Sequence, residues 1–211
     1  MESKYTEINS KTFDKWNKEG WEWGQPISHE VFERAKAGDW SVVLTPTKPV
    51  PKNWFCDMKN TKILGLASGG GQQMPIFTAL GAQCTVLDYS TSQLLSEKKV
   101  AEREKYSIEL VQADMAKPLP FKDESFDLIF HPVSNCYVED VLPIWKECYR
   151  ILKKVVYFYL DLIMASILYL MKKEQNSNIG FHLILKKIKI YMMNQSKMIG
   201  EFNFLIQLKN K

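Results

Sequence analysis

Cysteine and histidine are scarce in this sequence of 211 residues, which contains four cysteines and three histidines. The cysteines form no C-x-x-C pair, and no histidine stands at ligand spacing from any of them. Zinc sites and disulfide frameworks both depend on such spacing, so neither is predicted. We expect buried thiols in a reducing compartment and no metal site.

The N-terminal segment MESKYTEINSKTFDKW contains no long apolar run. It is polar and mixed in charge, whereas a secretory signal peptide requires an apolar core. The sequence therefore favours a cytoplasmic protein without a membrane partner. A weak anchor candidate spans residues 155–171, but this stretch is short for a membrane span, and Asp161 within it would be costly in lipid.

Most of the chain has no strong charge of one sign. The net charge is +4, but residues 155–211 carry eight lysines and three acidic residues, which leaves a charge of −1 on residues 1–154. Proteins that bind nucleic acid usually carry a basic patch on the folded domain. We therefore expect no nucleic-acid partner.

Strand and helix signals alternate regularly from residue 61 onward. The short apolar runs KILGL, QCTVLD, IELVQAD and FDLIFHP are separated by helical patterns such as QQMPIFTALG and STSQLLSEKKVAEREKY, and VEDVLPIWKECYRILKK follows the last of them. Continuous apolar strands separated by helices are typical of a parallel sheet covered on both faces. The sequence thus predicts an α/β fold.

Residues 1–60 are predicted to form an irregular N-terminal cover and not a separate domain. They contain Trp16, Trp21 and Trp23, followed by a short helix that Ser28 would cap and Gly38 would end. Tryptophans in such a cover can close over a ligand, although packing against the rest of the protein is the commoner role.

Three consecutive glycines follow the first predicted strand, in KILGLASGGGQQ at residues 62–73. In a parallel sheet, the loop after the first strand borders the ligand cleft. A dinucleotide fold requires G-x-G-x-x-G and a P-loop requires a lysine after the glycines, but here Gln72, Gln73 and Met74 follow. A nicotinamide-dependent oxidoreductase is therefore disfavoured, while a simple tight turn is the alternative interpretation.

Carboxylates end the second and third predicted strands. Asp88 closes QCTVLD, and Asp114 follows IELVQA. The first carboxylate can accept hydrogen bonds from both hydroxyls of a ribose, and the second can accept one from an exocyclic amine. With the bare backbone of the glycines, this set favours an adenosine ligand without a pyrophosphate. Both aspartates could instead cap the segments that follow them.

Residues 62–154 resemble a class I S-adenosylmethionine-dependent methyltransferase of the type 11 branch. KILGLASGGGQQMPIFTALGAQCTVLDYS is similar to the first two motifs of that family, LVQADMAKPLPFKDESFDLIF to its third and fourth, and LPIWKECYRILKK to the helix before its fifth strand. The resemblance implies a Rossmann-like parallel sheet with helices on both faces. It also implies that residues 61–154 bind S-adenosyl-L-methionine as the cofactor and that the activity is methyl transfer.

The resemblance implies a specific set of cofactor contacts. Asp88 would bind the ribose hydroxyls, and Asp114 with Met115 would border the adenine. The methionine and ribose portions would be lined by Ala67, Ser68, Gly69 and Gly71, while His131 and Asn135 would face the sulfonium and the substrate. The sequence departs from the family at Gly65, where an acidic residue usually helps to hold the ammonium group, and Ala67 replaces the usual first glycine. That ammonium group must then be held by other residues.

Few residues are candidates for catalysis. Methyl transfer from a sulfonium is an in-line displacement with an activated leaving group, so placement and exclusion of water can supply much of the rate. If a base is required, His131 is the first candidate, followed by Tyr137 and Glu139; a hydrogen-bonded buried histidine is the alternative for His131. HPVSNCY stands where many amino-methylating relatives have [ND]-P-P-[YFW], which favours a small-molecule acceptor.

Residues 155–211 depart from the family pattern. Relatives continue with a glycine pair and a fifth strand, whereas this chain continues VVYFYLDLIMASILYLM. If the reading frame is shifted back by one base, the codons of VVYFYLDLIMAS are compatible with the sequence GGILLxGFDNGI. That sequence contains the glycine pair and a buried strand of the family. We predict that this tail is an out-of-frame translation, with the C-terminal strands missing or replaced. The anchor at 155–171 is the competing interpretation, and an inactive cofactor-binding remnant is the alternative function.

Overall fold

The computed structural model describes residues 4–44 and 49–160, and for residues 4, 23 and 154–160 it describes the backbone alone. Five parallel strands form one sheet in the order β3-β2-β1-β4-β5. The strands are β1 (Lys62–Leu66), β2 (Gln83–Asp88), β3 (Glu109–Gln112), β4 (Phe126–His131) and β5 (Leu152–Leu160), and the helices are α1 (Lys4–Lys18), α2 (His29–Lys36), α3 (Met74–Ala79), α4 (Thr91–Glu104) and α5 (Leu142–Ile151). The predicted α/β fold is confirmed.

Strand β1 lies at the centre of the sheet and is buried on both faces. Ile63, Leu64 and Leu66 are fully buried, and Leu64 stands opposite Thr85 of β2 and Ile129 of β4. The short apolar runs of the sequence became strands because each of these positions loses its contact with water. Since the strands are parallel, their carboxyl ends share one edge of the sheet, where the loops that follow β1, β2, β3 and β4 meet.

Side chains that the sequence marks as caps begin two of the helices. The hydroxyl of Ser28 accepts a hydrogen bond from the amide of Val31 at the start of α2, and that of Ser90 accepts one from the amide of Gln93 at the start of α4. Pro75 stands in the first turn of α3. Each hydroxyl satisfies an amide that a helix start leaves free, and the proline removes one such amide. The predicted cap at Ser28 is confirmed.

The N-terminal helix α1 contradicts the prediction that the cover is irregular. Phe13 is an apolar residue on its inward side, but Thr6, Asn9, Asp14 and Asn17 all make hydrogen bonds to residues more than 70 positions away. Sequence periodicity reveals a helix by its apolar face. A helix attached mainly through polar side chains therefore gives no such signal.

The remainder of the cover packs against the sheet domain through aromatic rings. Trp40 and Phe55 contact Phe77 of α3 at ring-centroid distances of 6.4 and 5.6 Å, and Phe77 contacts Phe130 of β4 at 5.3 Å. These rings connect the segment before β1 to the hydrophobic core that α3 and β4 form. This is the packing role that is commoner for aromatic residues in a cover.

Strand β5 is present where the sequence analysis expects the C-terminal strands to be missing or replaced. It pairs in parallel with β4, with Ile129 opposite Phe158 and His131 opposite Leu160. The predicted domain boundary at residue 154 falls inside this strand. Residues 155–160 are mostly β-branched or aromatic, and such residues favour extended structure whether or not the tail is translated in frame. Residues 161–211, which hold most of the anchor candidate, lie outside the described residues. Among the helices of the described part, none is long and apolar enough to cross a membrane.

Candidate functional site

A cavity of about 310 Å³ opens at the carboxyl ends of the strands. The loops after β1, β2, β3 and β4 form its floor, and helix α1 covers it with Tyr5, Thr6, Asn9, Ser10 and Phe13. Trp21 also lines the cavity, so a tryptophan of the N-terminal cover lies at the site. Of the predicted cofactor residues, the cavity wall includes Ala67, Ser68, Gly69, Asp88, Asp114 and Met115.

The loop after β1 is joined to the tip of β2 through Gly69. The Gly69 amide donates a hydrogen bond to Asp88 Oδ2 at 3.0 Å. A Cβ atom at position 69 would lie 2.6 Å from Cβ of Gln93 and 2.9 Å from Asp88 Oδ2. Glycine is therefore required here by close approach, and the loop leaves open the backbone surface beside Asp88.

Asp88 is positioned as an acceptor at the edge of the cavity. Its Oδ1 accepts a hydrogen bond from the Ser90 amide at 2.9 Å, while its Oδ2 accepts the one from Gly69. Each carboxylate oxygen has two acceptor positions, so both oxygens can still accept a hydrogen bond from a ligand. Burial raises the pKa of Asp88, in spite of the backbone hydrogen bonds that lower it.

The predicted adenine end of the site is built from the segment after β3 and from α1. Asp114 Oδ1 accepts a hydrogen bond from the Ala116 amide at 2.9 Å, and its Oδ2 accepts one from the Thr6 hydroxyl at 3.2 Å. Met115 is buried on the cavity wall. Asp114 is thus half-buried, fixed at both oxygens and close to the cover.

Gly71 lies near the site but not on the wall of the cavity formed by the described residues. Its φ is +76°, and its amide donates a hydrogen bond to Glu97 Oε1 at 2.7 Å. A Cβ at this position would lie 2.8 Å from Pro26. Gly71 therefore determines the backbone path of the loop through its positive φ and its hydrogen bond to Glu97. This geometry does not support a direct contact between Gly71 and the cofactor.

Glu97 is a residue of the site that the sequence analysis does not identify. Its side chain on α4 is fully buried beneath the glycine loop, and burial raises its pKa to about 8. Its Oε2 atom has no hydrogen-bond partner among the described residues. The one available signal is an acidic residue on the buried face of the amphipathic helix α4, where a charge is otherwise unfavourable.

His131 and Asn135 do not lie on the cavity wall that the described residues form. His131 is fully buried: its Nδ1 donates to the Leu66 carbonyl at 2.7 Å, and its Nε2 lies 2.9 Å from Asn135 Oδ1. Burial lowers the pKa of the imidazole, which favours the neutral form with a single N–H. Since Asn135 Nδ2 has no partner, half a turn of the amide would allow it to donate to Nε2.

This arrangement corrects the predicted role of His131 as a base that faces the substrate. A base must reach the proton that it removes, directly or through one water. Both nitrogens of His131 instead face groups of its own chain, which tie β4 to the end of β1. The alternative of a buried, hydrogen-bonded histidine agrees with the structure.

Tyr137 is the predicted catalytic residue that does line the cavity. Its ring meets the ring of Phe13 from α1 edge to face at a centroid distance of 4.9 Å, and its carbonyl accepts a hydrogen bond from Asn9. Burial is the largest of the effects that raise the pKa of its phenol. The hydroxyl is therefore protonated at neutral pH and can donate a hydrogen bond to a ligand.

The loops around the cavity contain two residues with strained backbones. Ala67 has φ of +47° and Val133 has φ of +45°, a region that residues other than glycine rarely adopt. The hydroxyl of Ser134 donates to the Ala67 carbonyl at 2.8 Å and so holds the two loops together. Such strain is often found at ligand sites, where surrounding contacts determine the backbone.

Away from the cavity, His29, Glu33 and Glu104 bring possible metal ligands within 4.8 Å of one another. Glu104 is paired with His29 at 2.9 Å and with Arg103, and Glu33 is paired with Lys36 at 2.9 Å. These ion pairs account for the cluster, so we assign no metal to it.

Sequence comparison agrees with this geometry. A family model described as a methyltransferase domain matches residues 64–160. Over 146 residues the chain is 50% identical to the uncharacterized methyltransferase YbaJ of Bacillus subtilis (strain 168), a match that covers 69% of this chain and 57% of that protein. Residues 64–160 are therefore similar to a methyltransferase domain.

Two further comparisons show what the chain is similar to. The chain is 32% identical over 103 residues to the sterol methyltransferase-like 3 of Botryococcus braunii, a match that covers 47% of this chain and 26% of that protein. A crystal structure of a proposed S-adenosyl-L-methionine-dependent methyltransferase from Methanococcus maripaludis has a TM-score of 0.50 at 18% identity, covering 96% of this chain and 78% of that one. The latter shows a shared fold. The chain spans 57% and 26% of the two curated relatives.

Proposed function

We propose that this protein is a cytoplasmic methyltransferase that moves a methyl group from S-adenosyl-L-methionine to a small-molecule acceptor. The observation that carries the proposal is the Asp88 carboxylate on the cavity wall. Both of its oxygens are held by backbone amides, and both retain an acceptor position for the hydroxyls of a ribose. The space beside it is kept open by Gly69, where a Cβ would collide with Gln93.

The cavity residues fit the parts of this cofactor in the order of the strands. Asp114 and Met115 after β3 would border the adenine, Asp88 at the end of β2 would hold the ribose, and the loop after β1 would take the methionine portion. When bound, S-adenosyl-L-methionine supplies a methyl group on a positively charged sulfur. The protein then has to hold the cofactor, place the acceptor in line and keep water out.

Helix α1 supplies the cover that such a reaction needs. Tyr5, Asn9 and Phe13 lie over the cavity, and the cavity wall on the side of β4 includes Pro132, Val133 and Tyr137. This enclosure by uncharged side chains supports a small acceptor of limited charge. It gives no support to a nucleic-acid acceptor, which would require access for a long polymer.

Tyr137 is a better candidate than His131 for contact with the methyl acceptor. Its raised pKa keeps the hydroxyl protonated, so it would orient the acceptor through a hydrogen bond and would not act as a strong base. His131 would support the site from within the sheet, since its nitrogens are occupied by Leu66 and Asn135.

Isothermal titration with S-adenosylhomocysteine and, separately, with NAD tests the proposal. We expect S-adenosylhomocysteine to bind and NAD to bind far more weakly, because the glycine loop lacks the third glycine of a dinucleotide site. Preferential binding of NAD would overturn the methyltransferase proposal. Binding of S-adenosylhomocysteine without transfer of a labelled methyl group into small-molecule extracts would favour the inactive remnant.

A further inference from the structure

We propose that Gln73, supported by Ser68 and Gln72, binds the amino-acid end of the cofactor through neutral side chains. This inference rests on the proposed function and extends it to the side chains of Gln73 and Gln72, which lie beside the Ser68 that the resemblance already assigns to the methionine portion. The amino-acid end of S-adenosylmethionine carries an ammonium and a carboxylate group, so its site must offer both acceptors and donors.

The order of the strands determines where this end would lie. Asp114 follows β3 and Asp88 ends β2, and these are the carboxylates on the cavity wall of the described residues. With adenine and ribose at these two tips, the amino-acid end reaches the loops after β1 and β4. No carboxylate among the described residues lines that part of the cavity.

Position 65 has no room for the acidic side chain that the family usually has there. A Cβ at position 65 would lie 2.9 Å from both Cγ and Sδ of Met74. Met74 is fully buried, so it occupies the position toward which a longer side chain at residue 65 would extend. Recognition of the ammonium group therefore has to come from another part of the loop.

Ser68, Gln72 and Gln73 form a connected row of polar side chains on this part of the cavity wall. The Ser68 hydroxyl donates to Gln73 Oε1 at 3.1 Å, and Gln73 Nε2 donates to Gln72 Oε1 at 3.5 Å. Gln72 Nε2 in turn donates to the carbonyls of Glu22 and Gln25 at 3.1 and 3.2 Å. The row thus runs from the loop after β1 to the N-terminal cover.

This row has the unused hydrogen-bonding capacity that a zwitterion requires. Ser68 and Gln73 are only 2% and 6% exposed, so their side chains are held in place by their surroundings. The Ser68 hydroxyl and Gln73 Oε1 can each accept a further hydrogen bond, which suits an ammonium group. The second N–H of Gln73 Nε2 can donate to a carboxylate. A buried amide can satisfy both charges without itself requiring a counter-charge.

A pair of ligands separates this role from general binding of the cofactor. S-adenosylhomocysteine contains the amino-acid end, whereas 5′-methylthioadenosine has the same adenosine part without it. We expect Gln73→Leu to weaken binding of S-adenosylhomocysteine at least tenfold and to change binding of 5′-methylthioadenosine by less than twofold in isothermal titration. Ser68→Ala, a smaller change, should weaken only S-adenosylhomocysteine, by about threefold.

Two controls complete the experiment. Gln83→Leu makes the same replacement at an exposed position at the start of β2 and should leave both affinities unchanged. Asp88→Asn should weaken both ligands to a similar degree, since both contain the ribose. Thermal unfolding checks that every variant is folded. If Gln73→Leu does not fold, the comparison of the two ligands is made with Ser68→Ala.

The possible failures are distinct. If the Gln73 and Ser68 variants bind both ligands as the unchanged protein does, or lose both equally, the assignment of the amino-acid end is wrong. If the unchanged protein binds neither ligand, the proposed function fails first, before any variant is compared.

Discussion

The hydroxyl of Thr6 donates a hydrogen bond to Asp114 Oδ2 at 3.2 Å, across 108 positions of the sequence. This contact joins helix α1 to the carboxylate that borders the predicted adenine position. Asp114 is at the same time fixed by the Ala116 amide. The N-terminal cover is therefore part of the wall of the site, and changes in α1 are expected to alter ligand binding.

Asp88→Ala is expected to weaken binding of S-adenosylhomocysteine at least tenfold, which corresponds to about 1.4 kcal/mol or more. The substitution removes both acceptors for the ribose hydroxyls. Isothermal titration at neutral pH measures the change, and unchanged affinity would show that Asp88 does not hold the ribose. Because burial raises the pKa of Asp88, affinity for the unchanged protein should also fall as the pH decreases through that pKa and the carboxylate becomes protonated.

Gly69→Ala should disturb the site by steric overlap alone. The added Cβ would lie 2.6 Å from Gln93 Cβ and 2.9 Å from Asp88 Oδ2, so the loop or Asp88 must move. Overpacking of this kind typically costs about 1–3 kcal/mol. We expect a lower thermal midpoint and weaker binding of S-adenosylhomocysteine.

Gly24→Ala is the matched control for this substitution. The atoms nearest to its added Cβ would be the side-chain nitrogen of Gln93, at 3.3 Å, and two atoms of Asn17, at 3.5 and 3.6 Å. A flexible side chain can move by that amount. Equal losses of stability and affinity in the two variants would contradict the proposed role of Gly69.

Asp14→Ala is expected to loosen the N-terminal helix without unfolding the sheet. Asp14 Oδ1 accepts hydrogen bonds from the hydroxyls of Ser90 and Ser92 at 2.6 and 2.7 Å, which attach α1 to the start of α4. Burial opposes ionisation of Asp14, but these hydrogen bonds outweigh it and lower its pKa. Hydrogen exchange should therefore become faster in α1 and stay slow in β1.

Lys11→Ala provides the comparison for α1. Lys11 forms an exposed ion pair with Glu7 on the same helix, and such pairs contribute little to stability. We expect hydrogen exchange in this variant to match that of the unchanged protein. If Asp14→Ala exchanges no faster than Lys11→Ala, attachment of α1 does not depend on Asp14.

Glu97→Gln should change how stability depends on pH. Burial raises the pKa of Glu97 from its ordinary value of 4.5 to about 8, so the folded protein holds a proton that the unfolded chain releases. Stability then decreases as the pH rises from about 4.5 to about 8, by an amount on the order of 5 kcal/mol. Glutamine is neutral throughout this range and can still accept the hydrogen bond from Gly71.

Urea unfolding at pH 6 and pH 9 measures this difference. The free energy of unfolding should fall between the two values for the unchanged protein and fall much less for Glu97→Gln. Parallel curves for the two proteins would mean that Glu97 does not titrate in this range.

The out-of-frame origin of residues 155–211 is tested at the level of the gene. We expect the coding DNA from the source organism to contain an added or lost base near the codons of Lys153 to Val155. A confirmed reading frame would exclude this origin and leave the present tail as part of the protein. Residues 155–160 form the last part of strand β5, as expected for β-branched and aromatic residues whatever the origin of the tail.

The residues of the site differ in how far the sequence could predict them. Asp88 and Gly69 were predictable because a strand end and a glycine run are local patterns that a parallel sheet brings to one edge. The burial of His131 was not, since it depends on the Leu66 carbonyl 65 positions away. Likewise Glu97 acquires its role only where α4 lies beneath the Gly71 amide.

The sequence by itself determined the α/β fold, the strand and helix positions from residue 62 to 151, and the resemblance to methyltransferase domains, because periodicity, caps and motif order are encoded locally. Tertiary structure decided which polar side chains face the cavity and which support it from behind. It also decided that a helix attached largely through polar side chains covers the site. These outcomes depend on distant hydrogen-bond partners, and a polar residue shows no such partner in its own stretch of sequence.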